Sequence, residues 1–219
     1  MNNLLNKEFK LAMHPTALIF LSLSAMMLIP NYPYYVTFFY TSLGIFFMCL
    51  SGRENNDIFY TMTLPVRKKD IVKSRFLFVA IIQMAQVLTA IPFAYVRSLY
   101  DMPGNLVGIN ANTAFFGLSF VMMGLFNFVF FIKYYKDTNK VGAAFGWGSL
   151  VMAIFMIIAE TSTHVVPFMK NYLDTNDPEF IQYKLMVLVV GILSYCLLTF
   201  AAYKKSVISF EALDLQVTN

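Results

Sequence analysis

The sequence predicts an all-α, polytopic integral membrane protein, and three observations lead to this fold class. Hydrophobic residues make up 58% of the 219 residues and charged residues only 13%. In soluble domains, about 45–50% of the residues are apolar and about 25% are charged. The apolar residues form continuous runs close to the length of about 20 residues that a membrane-spanning helix needs. These runs do not alternate between apolar and polar positions, as the strands of a membrane β-barrel would.

The runs predict six transmembrane helices, because a segment that crosses lipid alone must satisfy its own backbone hydrogen bonds. The predicted spans are 13–29, 34–50, 76–96, 113–132, 141–159 and 185–203. The connections between them are short and leave no room for a separate soluble domain. Residues 1–219 are therefore predicted to form a single transmembrane domain.

Residues 1–13 predict an amphipathic helix that lies in the membrane interface ahead of the first span. At about 100° per residue, the apolar side chains share one broad arc, formed by Leu4, Leu5, Phe9, Leu11, Ala12 and Met13. The opposite arc is polar and contains Asn3, Asn6, Lys7 and Lys10. Glu8 is the one residue that breaks the pattern. Such a helix either anchors the chain in lipid or offers a docking surface to a partner.

The distribution of lysine and arginine predicts the orientation of the spans. Thirteen basic residues lie on one side of the membrane and three on the other, and the excess marks the cytoplasmic side. The larger group contains Lys7, Lys10, Arg53, Arg67, Lys68, Lys69, Lys73, Arg75, Lys133, Lys136, Lys140, Lys204 and Lys205, and the smaller one contains Arg97, Lys170 and Lys184. Both termini are therefore predicted to be cytoplasmic. This asymmetry also explains the net charge of +4, so no nucleic-acid partner is predicted.

Residue types missing from the spans exclude several function classes. No Asp, Glu, Lys, Arg or His lies deep in a predicted span, whereas proton-coupled carriers usually need an ionisable group at depth. No nucleophile–base pair or metal-ligand set converges there, and His164 has no partner ligands in the pattern. The G-x-x-x-x-G-K-[ST] phosphate loop is absent, and the nearest match is 142–147. We therefore predict no catalytic, metal-binding or cofactor-binding residues, and energy supplied by a partner protein.

The longest cytoplasmic connection, 51–75, carries the most specific signal. It begins with a polar cluster, continues as a short apolar segment and reaches Pro65. A solvated, positively charged loop would explain Arg67–Lys69 but not the apolar side chains, which are Ile58, Phe59, Met62 and Leu64. A short apolar helix outside the bilayer needs a covering surface, either lipid or a protein groove.

The motif in this connection consists of Glu54, Asp57 and the segment 64–75, which reads Leu-Pro-Val-Arg-Lys-Lys-Asp-Ile-Val-Lys-Ser-Arg. It resembles the region between spans 2 and 3 of small bacterial permeases of the ABC-2 type. The amphipathic N-terminal helix, the six spans and the basic C-terminus are also similar in layout. In size and style, the chain most resembles small exporters of amphipathic peptides such as phenol-soluble modulins.

The resemblance implies a permease subunit in the bacterial cytoplasmic membrane. A second permease chain, identical or homologous, would pair with it, and membrane lipid would surround both. Two copies of a cytoplasmic ATPase subunit would bind ATP and Mg and drive export of an amphipathic peptide or drug-like substrate. A non-transporting membrane anchor, or a sensing or immunity subunit, that docks the same type of ATPase is the alternative. A membrane enzyme has the least support, because no reactive constellation is present.

The resemblance also implies a role for each part of the 51–75 connection. The segment from Glu54 to Leu64 would be a coupling helix that sits in a groove of the ATPase. Its polar contacts would come from Arg53, Glu54 and Asp57. Its buried anchors would be Phe59, Tyr60, Met62 and Leu64. Pro65 would end the segment, and Arg67–Arg75 would form a return helix along the inner leaflet.

Two groups of residues inside the spans have two explanations each. Small residues line one face of the fifth span at Gly142, Gly146, Ser149 and Ala153. They either pack within the chain or form a dimer seam, since small residues let helices approach closely. Buried amides occur at Gln83, Gln86 and Asn127, and they either bond to neighbouring helices or line a substrate path. Beyond the fifth span, residues 161–182 predict a short helix that dips back into the outer leaflet.

Overall fold

A computed structural model of the chain describes residues 2–12, 15–99 and 104–213. The helices are α1 (Asn2–Lys7), α2 (Pro15–Ser22), α3 (Tyr35–Glu54), α4 (Asp57–Met62), α5 (Lys68–Leu99), α6 (Thr113–Tyr134), α7 (Val141–Val165) and α8 (Ile181–Glu211). Two π-helical turns, Glu8–Ala12 and Met169–Leu173, and one 3-10 segment, Leu23–Leu28, complete the regular structure. No strand occurs in these three ranges. The predicted all-α, polytopic membrane fold is confirmed.

Five helices are long and apolar enough to cross a membrane: α3, α5, α6, α7 and α8. The first predicted span, 13–29, corresponds to α2 and the 3-10 segment that follows it, while residues 13 and 14 lie outside the described ranges. At rises of 1.5 and 2.0 Å per residue, α2 and this segment reach roughly 24 Å. The hydrocarbon core of a bilayer is about 30 Å thick. The described helices therefore provide five full spans and a shorter sixth segment.

Several helices extend beyond the apolar runs that predicted them. α5 begins at Lys68, whereas the predicted span begins at 76, so the predicted return helix and the third span form one continuous helix. α8 continues to Glu211, beyond the predicted end at 203. Lysine and arginine are good helix formers, so a helix does not end where its residues become charged. The hydrophobic pattern indicated where the long helices lie but not how far α5 and α8 extend beyond the apolar runs.

Helix α6 lies at the centre of the bundle and contacts α3, α7 and α8. Its Phe115 ring packs against the rings of Tyr35 and Phe38 on α3, with centroid distances of 5.0 and 5.7 Å. Two glycines allow α6 and α8 to cross closely, because a Cβ on Gly117 would lie 2.6 Å from the carbonyl oxygen of Val187, and Gly191 faces the backbone of Gly117. Any side chain at either position would force the two backbones apart.

The connections collect at two ends of the bundle. At the first, which we call the basic end, Arg53 donates to the Asn139 carbonyl at 3.2 Å, and Lys68 donates to the Leu213 carbonyl at 2.8 Å. At the second, which we call the opposite end, Asn112 donates to the Leu173 carbonyl at 2.6 Å. The region 161–182 also lies at the opposite end, where α7 continues to Val165 and a π-helical turn follows at Met169–Leu173.

Candidate functional site

A short helix, α4, projects from the basic end between two long helices. α3 ends at Glu54, and the chain reverses through Asn55 and Asn56 before α4 begins at Asp57. Asn56 has a φ of 51°, a left-handed conformation that asparagine adopts more readily than most residues with a side chain. The polar pair that the sequence places after the second span therefore sets the direction in which α4 leaves α3.

Four charged side chains hold α4 against the bundle, and we call Lys7, Glu8, Asp57 and Arg75 the four-charge cluster. Lys7 Nζ lies 2.8 Å from Asp57 Oδ1 and 3.2 Å from Glu8 Oε1. Arg75 Nε lies 2.8 Å from Glu8 Oε2, and Arg75 Nη2 lies 2.7 Å from Asp57 Oδ2. The cluster thereby joins the N-terminal segment, α4 and the start of α5.

The four-charge cluster has no net charge; Glu8 and Arg75 are buried, and Lys7 and Asp57 are partly buried. Glu8 is 0% exposed and Arg75 is 2% exposed, so each depends on its oppositely charged neighbours for stability. Burial raises the pKa of Asp57, but the Arg75 charge and the Lys7 hydrogen bond lower it more, and the net pKa lies below the ordinary value. Asp57 is therefore a stable anion at neutral pH and fixes α4 electrostatically.

The outer side of α4 carries three exposed apolar residues, Phe59, Tyr60 and Leu64, which we call the α4 apolar face. Their exposed fractions are 40%, 64% and 53%, and the rings of Phe59 and Tyr60 contact each other with centroids 5.9 Å apart. Ile58 and Met62 are partly buried and pack against the core. α4 therefore uses one side to attach to the bundle and leaves the other uncovered.

This division gives the predicted coupling residues two different environments. Among the predicted polar contacts, the Asp57 carboxylate faces Lys7 and Arg75 of its own chain, and Arg53 reaches the Asn139 carbonyl; Glu54 is exposed. Among the predicted anchors, only Met62 turns inward. Asp57 and Met62 make contacts within the chain because both lie on the bundle side of α4, and their contact with a partner stays a prediction.

Pro65 lies beyond the helical part of the predicted segment. α4 ends at Met62, so the helix stops before the proline rather than at it. Residues Thr63–Pro65 are exposed and connect α4 to α5. Leu64 nevertheless belongs to the α4 apolar face because this short connection is exposed on the same end of the bundle.

The buried amides form hydrogen bonds between helices. Gln83 Nε2 donates to Asn127 Oδ1 at 2.9 Å, and Asn127 Nδ2 donates to Gln83 Oε1 at 2.9 Å. Tyr195 Oη donates to the same Gln83 oxygen at 2.8 Å, and Gln86 Nε2 donates to Ser24 Oγ at 2.8 Å. Gln83, Gln86 and Asn127 are all 0% exposed. Of the two explanations, the geometry favours bonding between helices over a substrate path.

The small residues of α7 do not share one environment. Gly142 and Gly146 face away from the bundle, and no described atom lies within 4 Å of a Cβ built on either glycine. Ser149 and Ala153 are half-buried. Gly148, which the sequence analysis did not select, packs against Phe126 and Phe130. Packing within the described chain therefore does not explain Gly142 and Gly146.

A cavity of about 470 Å³ at the opposite end was not predicted from the sequence. It lies between α5, α6 and α8, and polar residues of 110–113 and 176–177 border it. The sequence signal for it is weak, because its apolar residues come from three separate spans. Across the described ranges, no group of three or more His, Cys, Asp or Glu side chains could hold a metal ion, and His164 lies 3.3 Å from the Val107 carbonyl.

Comparison with known proteins assigns the chain to a family. No curated protein and no solved structure matches the chain, so the resemblance to exporters of phenol-soluble modulins remains a prediction. The family model described as ABC-2 family transporter protein matches residues 3–211. The match includes the N-terminal helix, α4 with its charged attachment, and all the long helices. The chain therefore belongs to the ABC-2 family of transporter membrane proteins.

Proposed function

We propose that the chain is the permease subunit of an ATP-driven exporter and that the α4 apolar face docks a cytoplasmic ATPase. The observation that carries this proposal is the placement of Phe59, Tyr60 and Leu64 outside the long apolar helices, on α4 and the short connection after it, where α4 is fixed by the ion pair of Asp57 with Arg75. Apolar side chains exposed together on a rigid support are typical of a protein interface. The family match supports an ATPase as the partner.

The four-charge cluster connects this docking surface mechanically to the bundle. Asp57 attaches α4 directly to Arg75, and α5 continues from Arg75 into a transmembrane helix without a break. A displacement of α4 by the ATPase would therefore be transmitted to α5 through a short, partly buried contact rather than through a flexible loop. ATP and Mg would be bound by two copies of the ATPase, and this chain would contribute no cofactor-binding residue.

The proposed orientation places the basic end in the cytoplasm of a bacterial cell, with both termini on that side. Lys7, Arg53 and Lys68 all make contacts at the basic end, whereas Lys184 pairs with Asp177 at the opposite end. This arrangement agrees with the uneven distribution of basic residues, which favours the cytoplasmic side. An ATPase could then reach α4 without crossing the membrane.

A second permease chain is proposed to pack against α7. Gly142 and Gly146 present bare backbone away from the bundle, and such positions allow a helix of another chain to approach closely. The proposed substrate is an amphipathic peptide or a drug-like molecule. The chain contains 23 phenylalanines and 14 methionines, and such adaptable apolar side chains suit a cargo of that kind.

The test is co-purification of the ATPase together with transport of the cargo in vesicles. Replacing Phe59, Tyr60 and Leu64 with alanine should reduce ATPase binding at least about thirtyfold, because one pocket-filling anchor is worth about 2 kcal/mol or more. Leu106→Ala is the matched control, since Leu106 is an exposed leucine at the opposite end. Normal ATPase binding by the triple variant would contradict the docking proposal.

The same assay distinguishes an exporter from a non-transporting subunit. Vesicles that contain the chain and its ATPase should show ATP hydrolysis stimulated by the cargo and movement of the cargo across the membrane. ATPase binding without either response would favour the anchor or sensing subunit. The purified chain alone should not hydrolyse ATP.

A further inference from the structure

A second pocket lies at the basic end, where α6 leads into α7. Its volume of about 350 Å³ falls within the range of about 300–1,000 Å³ that is typical of ligand sites. The residues that line it, which we call the lysine pocket, are Lys133, Lys136, Asp137, Lys140, Ala143, Ala144 and Trp147. The lining therefore combines three lysines with two side chains that are too small to fill the space between them.

The charges of the lysine pocket do not cancel. Asp137 Oδ2 lies 3.1 Å from Lys140 Nζ, and Asp137 Oδ1 accepts a hydrogen bond from the Asn139 N–H at 3.1 Å. The Lys140 hydrogen bond lowers the pKa of Asp137, so this carboxylate is charged at neutral pH and offsets one lysine. Within the described ranges, no ion pair involves Lys133 or Lys136. The pocket therefore has an excess of two positive charges.

Trp147, the only tryptophan of the chain, positions one of these two lysines. Lys133 Nζ lies 4.6 Å from the centre of the Trp147 ring, so the contact joins the last turn of α6 to α7. A cation over the face of an aromatic ring is attracted by the ring quadrupole. Because the ring carries no net charge, it holds the ammonium group in the pocket without neutralising it.

The lysine pocket extends from outside a predicted span to its interior. Lys140 precedes the predicted span 141–159, whereas Trp147 lies about two turns inside it, roughly 10 Å along α7. Lys133 follows directly on the predicted span 113–132. Tryptophan rings and long lysine side chains are typical of the level at which hydrocarbon meets headgroups. A molecule that fills the pocket therefore needs a charged group at one end and an apolar part at the other.

We propose that the lysine pocket binds the phosphate of an anionic phospholipid, in the leaflet next to the basic end. Lys133 and Lys136 would donate to the phosphate oxygens, and the acyl chains would continue along α7 beyond Trp147. The excess of positive charge disfavours headgroups that carry their own cation, such as choline. Gly142 and Gly146, which are proposed to contact a second permease chain, are not part of the lining. Binding therefore requires neither the ATPase nor a second chain.

The test uses the fluorescence of Trp147, which reports on the pocket in the full chain. The chain alone is reconstituted in vesicles that mix phosphatidylcholine with brominated acyl chains and unlabelled phosphatidylglycerol in varying proportion. Bromine quenches tryptophan, so bound phosphatidylglycerol protects Trp147. Two lysines at a membrane surface should give a preference for phosphatidylglycerol of about twentyfold. Quenching that follows the bulk proportion of the two lipids would overturn the proposal.

Lysine variants distinguish a site from general surface charge. Lys133→Gln and Lys136→Gln should each reduce the preference about fivefold, a change of about 1 kcal/mol. Lys204→Gln is the matched control, since Lys204 is an exposed lysine near the same end of the bundle and its Nζ lies 4.8 Å from the centre of the Phe200 ring on its own helix. It should leave the preference unchanged. An equal reduction in all three variants would contradict a specific site.

Ala143→Leu tests the pocket itself, because it adds bulk to the lining and keeps every lysine. It should reduce the preference about tenfold, a change of about 1.4 kcal/mol. An unchanged preference would show that the lipid is bound elsewhere. Because the assay contains no ATPase, failure of the ATPase docking proposal would not alter any of these results.

A soluble phosphate is the other possible source of the same chemical group. Millimolar inorganic phosphate, added at constant ionic strength, should not displace phosphatidylglycerol from Trp147, since it has no apolar part. Displacement would contradict the lipid assignment and indicate a site for a soluble phosphate. Because both leaflets contain both lipids, the result does not depend on the orientation, which cysteine labelling at position 68 determines separately.

Discussion

Glu8 and Arg75 form a buried ion pair, with Glu8 Oε2 and Arg75 Nε 2.8 Å apart. Neither Glu8 oxygen has a well-aligned hydrogen bond to another described group, so charge attraction dominates this contact. The pair joins the N-terminal segment to α5 at the place where Asp57 attaches α4. The stability of the basic end should therefore depend strongly on these charges.

Arg75→Gln should lower the free energy of unfolding by about 3–5 kcal/mol, because it leaves buried carboxylates without their partner. Denaturation of the purified chain in detergent measures the change. Arg67→Gln is the control, since the Arg67 side chain is 78% exposed and its ion pair among the described residues is with Asp70 on the surface. An exposed pair of this kind contributes about 1 kcal/mol or less.

The double variant Glu8→Gln with Arg75→Gln should be more stable than Arg75→Gln alone. Removing both charges leaves Lys7 and Asp57, which still pair at 2.8 Å, and the cluster remains neutral. The effects of residues in one charge network are not additive. If the loss of unfolding free energy in the double variant equals the sum of the losses in the two single variants, the four charges do not act as one network.

Asp57→Asn and Asp174→Asn should change stability differently at pH 7. The pKa of Asp57 is lowered because Arg75 and Lys7 outweigh its burial, so its charge stabilises the fold. Burial raises the pKa of Asp174 despite the hydrogen bond from the Asn110 N–H and the charges of His164 and Lys184. Asp57→Asn should therefore cost about 1.5–3 kcal/mol, whereas Asp174→Asn should be neutral or stabilising.

The pH dependence of this difference follows from the direction of each shift. The contribution of Asp57 is complete above its unfolded pKa of about 3.9 and is lost as the pH falls through the lower folded value. The penalty from charged Asp174 decreases as the pH falls through its raised folded pKa. The free energy of unfolding should be measured from pH 7 to pH 3 for the wild-type chain and both variants. The difference between wild type and Asp57→Asn should disappear only in strong acid.

Asn127→Leu should destabilise the chain by about 0.5–2 kcal/mol, because it leaves Gln83 Nε2 without its acceptor inside the bundle. The double variant Gln83→Leu with Asn127→Leu should recover part of this loss. Transport by the double variant distinguishes the two explanations for these residues. Retained transport is expected for a structural contact, whereas complete loss with a stable fold would indicate a substrate path.

Gly146→Ala should not destabilise the single chain, because nothing described lies near the added methyl group. Alanine is favoured over glycine inside a helix by about 0.5–1 kcal/mol. Gly117→Ala is the contrasting variant and should cost about 1–3 kcal/mol, since its methyl group would collide with α8. If α7 forms the dimer seam, Gly146→Leu should abolish disulfide cross-linking between copies that carry cysteine at Gly142, with the fold retained.

The positions of the long helices could be predicted from the sequence because each depends on local hydrophobicity. The exposed residues of the α4 apolar face were also predictable, since Phe59, Tyr60 and Leu64 are apolar side chains in a connection between two predicted spans. The four-charge cluster was not predicted, because it brings together three separate segments of the chain. Glu8 provided the available signal, as the one residue that breaks the amphipathic pattern of the N-terminal helix.

The environments of Asp57 and Met62 could not be predicted from their residue types. A charged residue and an apolar residue in a short helix outside the spans suit a partner interface as well as attachment to the bundle. The direction in which α4 leaves α3 decides between these roles, and it depends on the left-handed backbone at Asn56. The same limitation applies to Gln83 and Asn127, whose partners become evident only when α5 and α6 are packed together.

The short α2 segment has a consequence for the surrounding bilayer. In the described part of the first predicted span, α2 and the 3-10 segment after it give roughly 24 Å of helix against a hydrocarbon core of about 30 Å, so we expect hydrophobic mismatch on this side of the protein. Lipids beside α2 must thin locally, at a cost of a fraction of a kcal/mol per Å, whereas those beside the much longer α8 need not. We therefore expect lipids with shorter acyl chains to accumulate beside α2, so that the protein sorts the lipids around it by length.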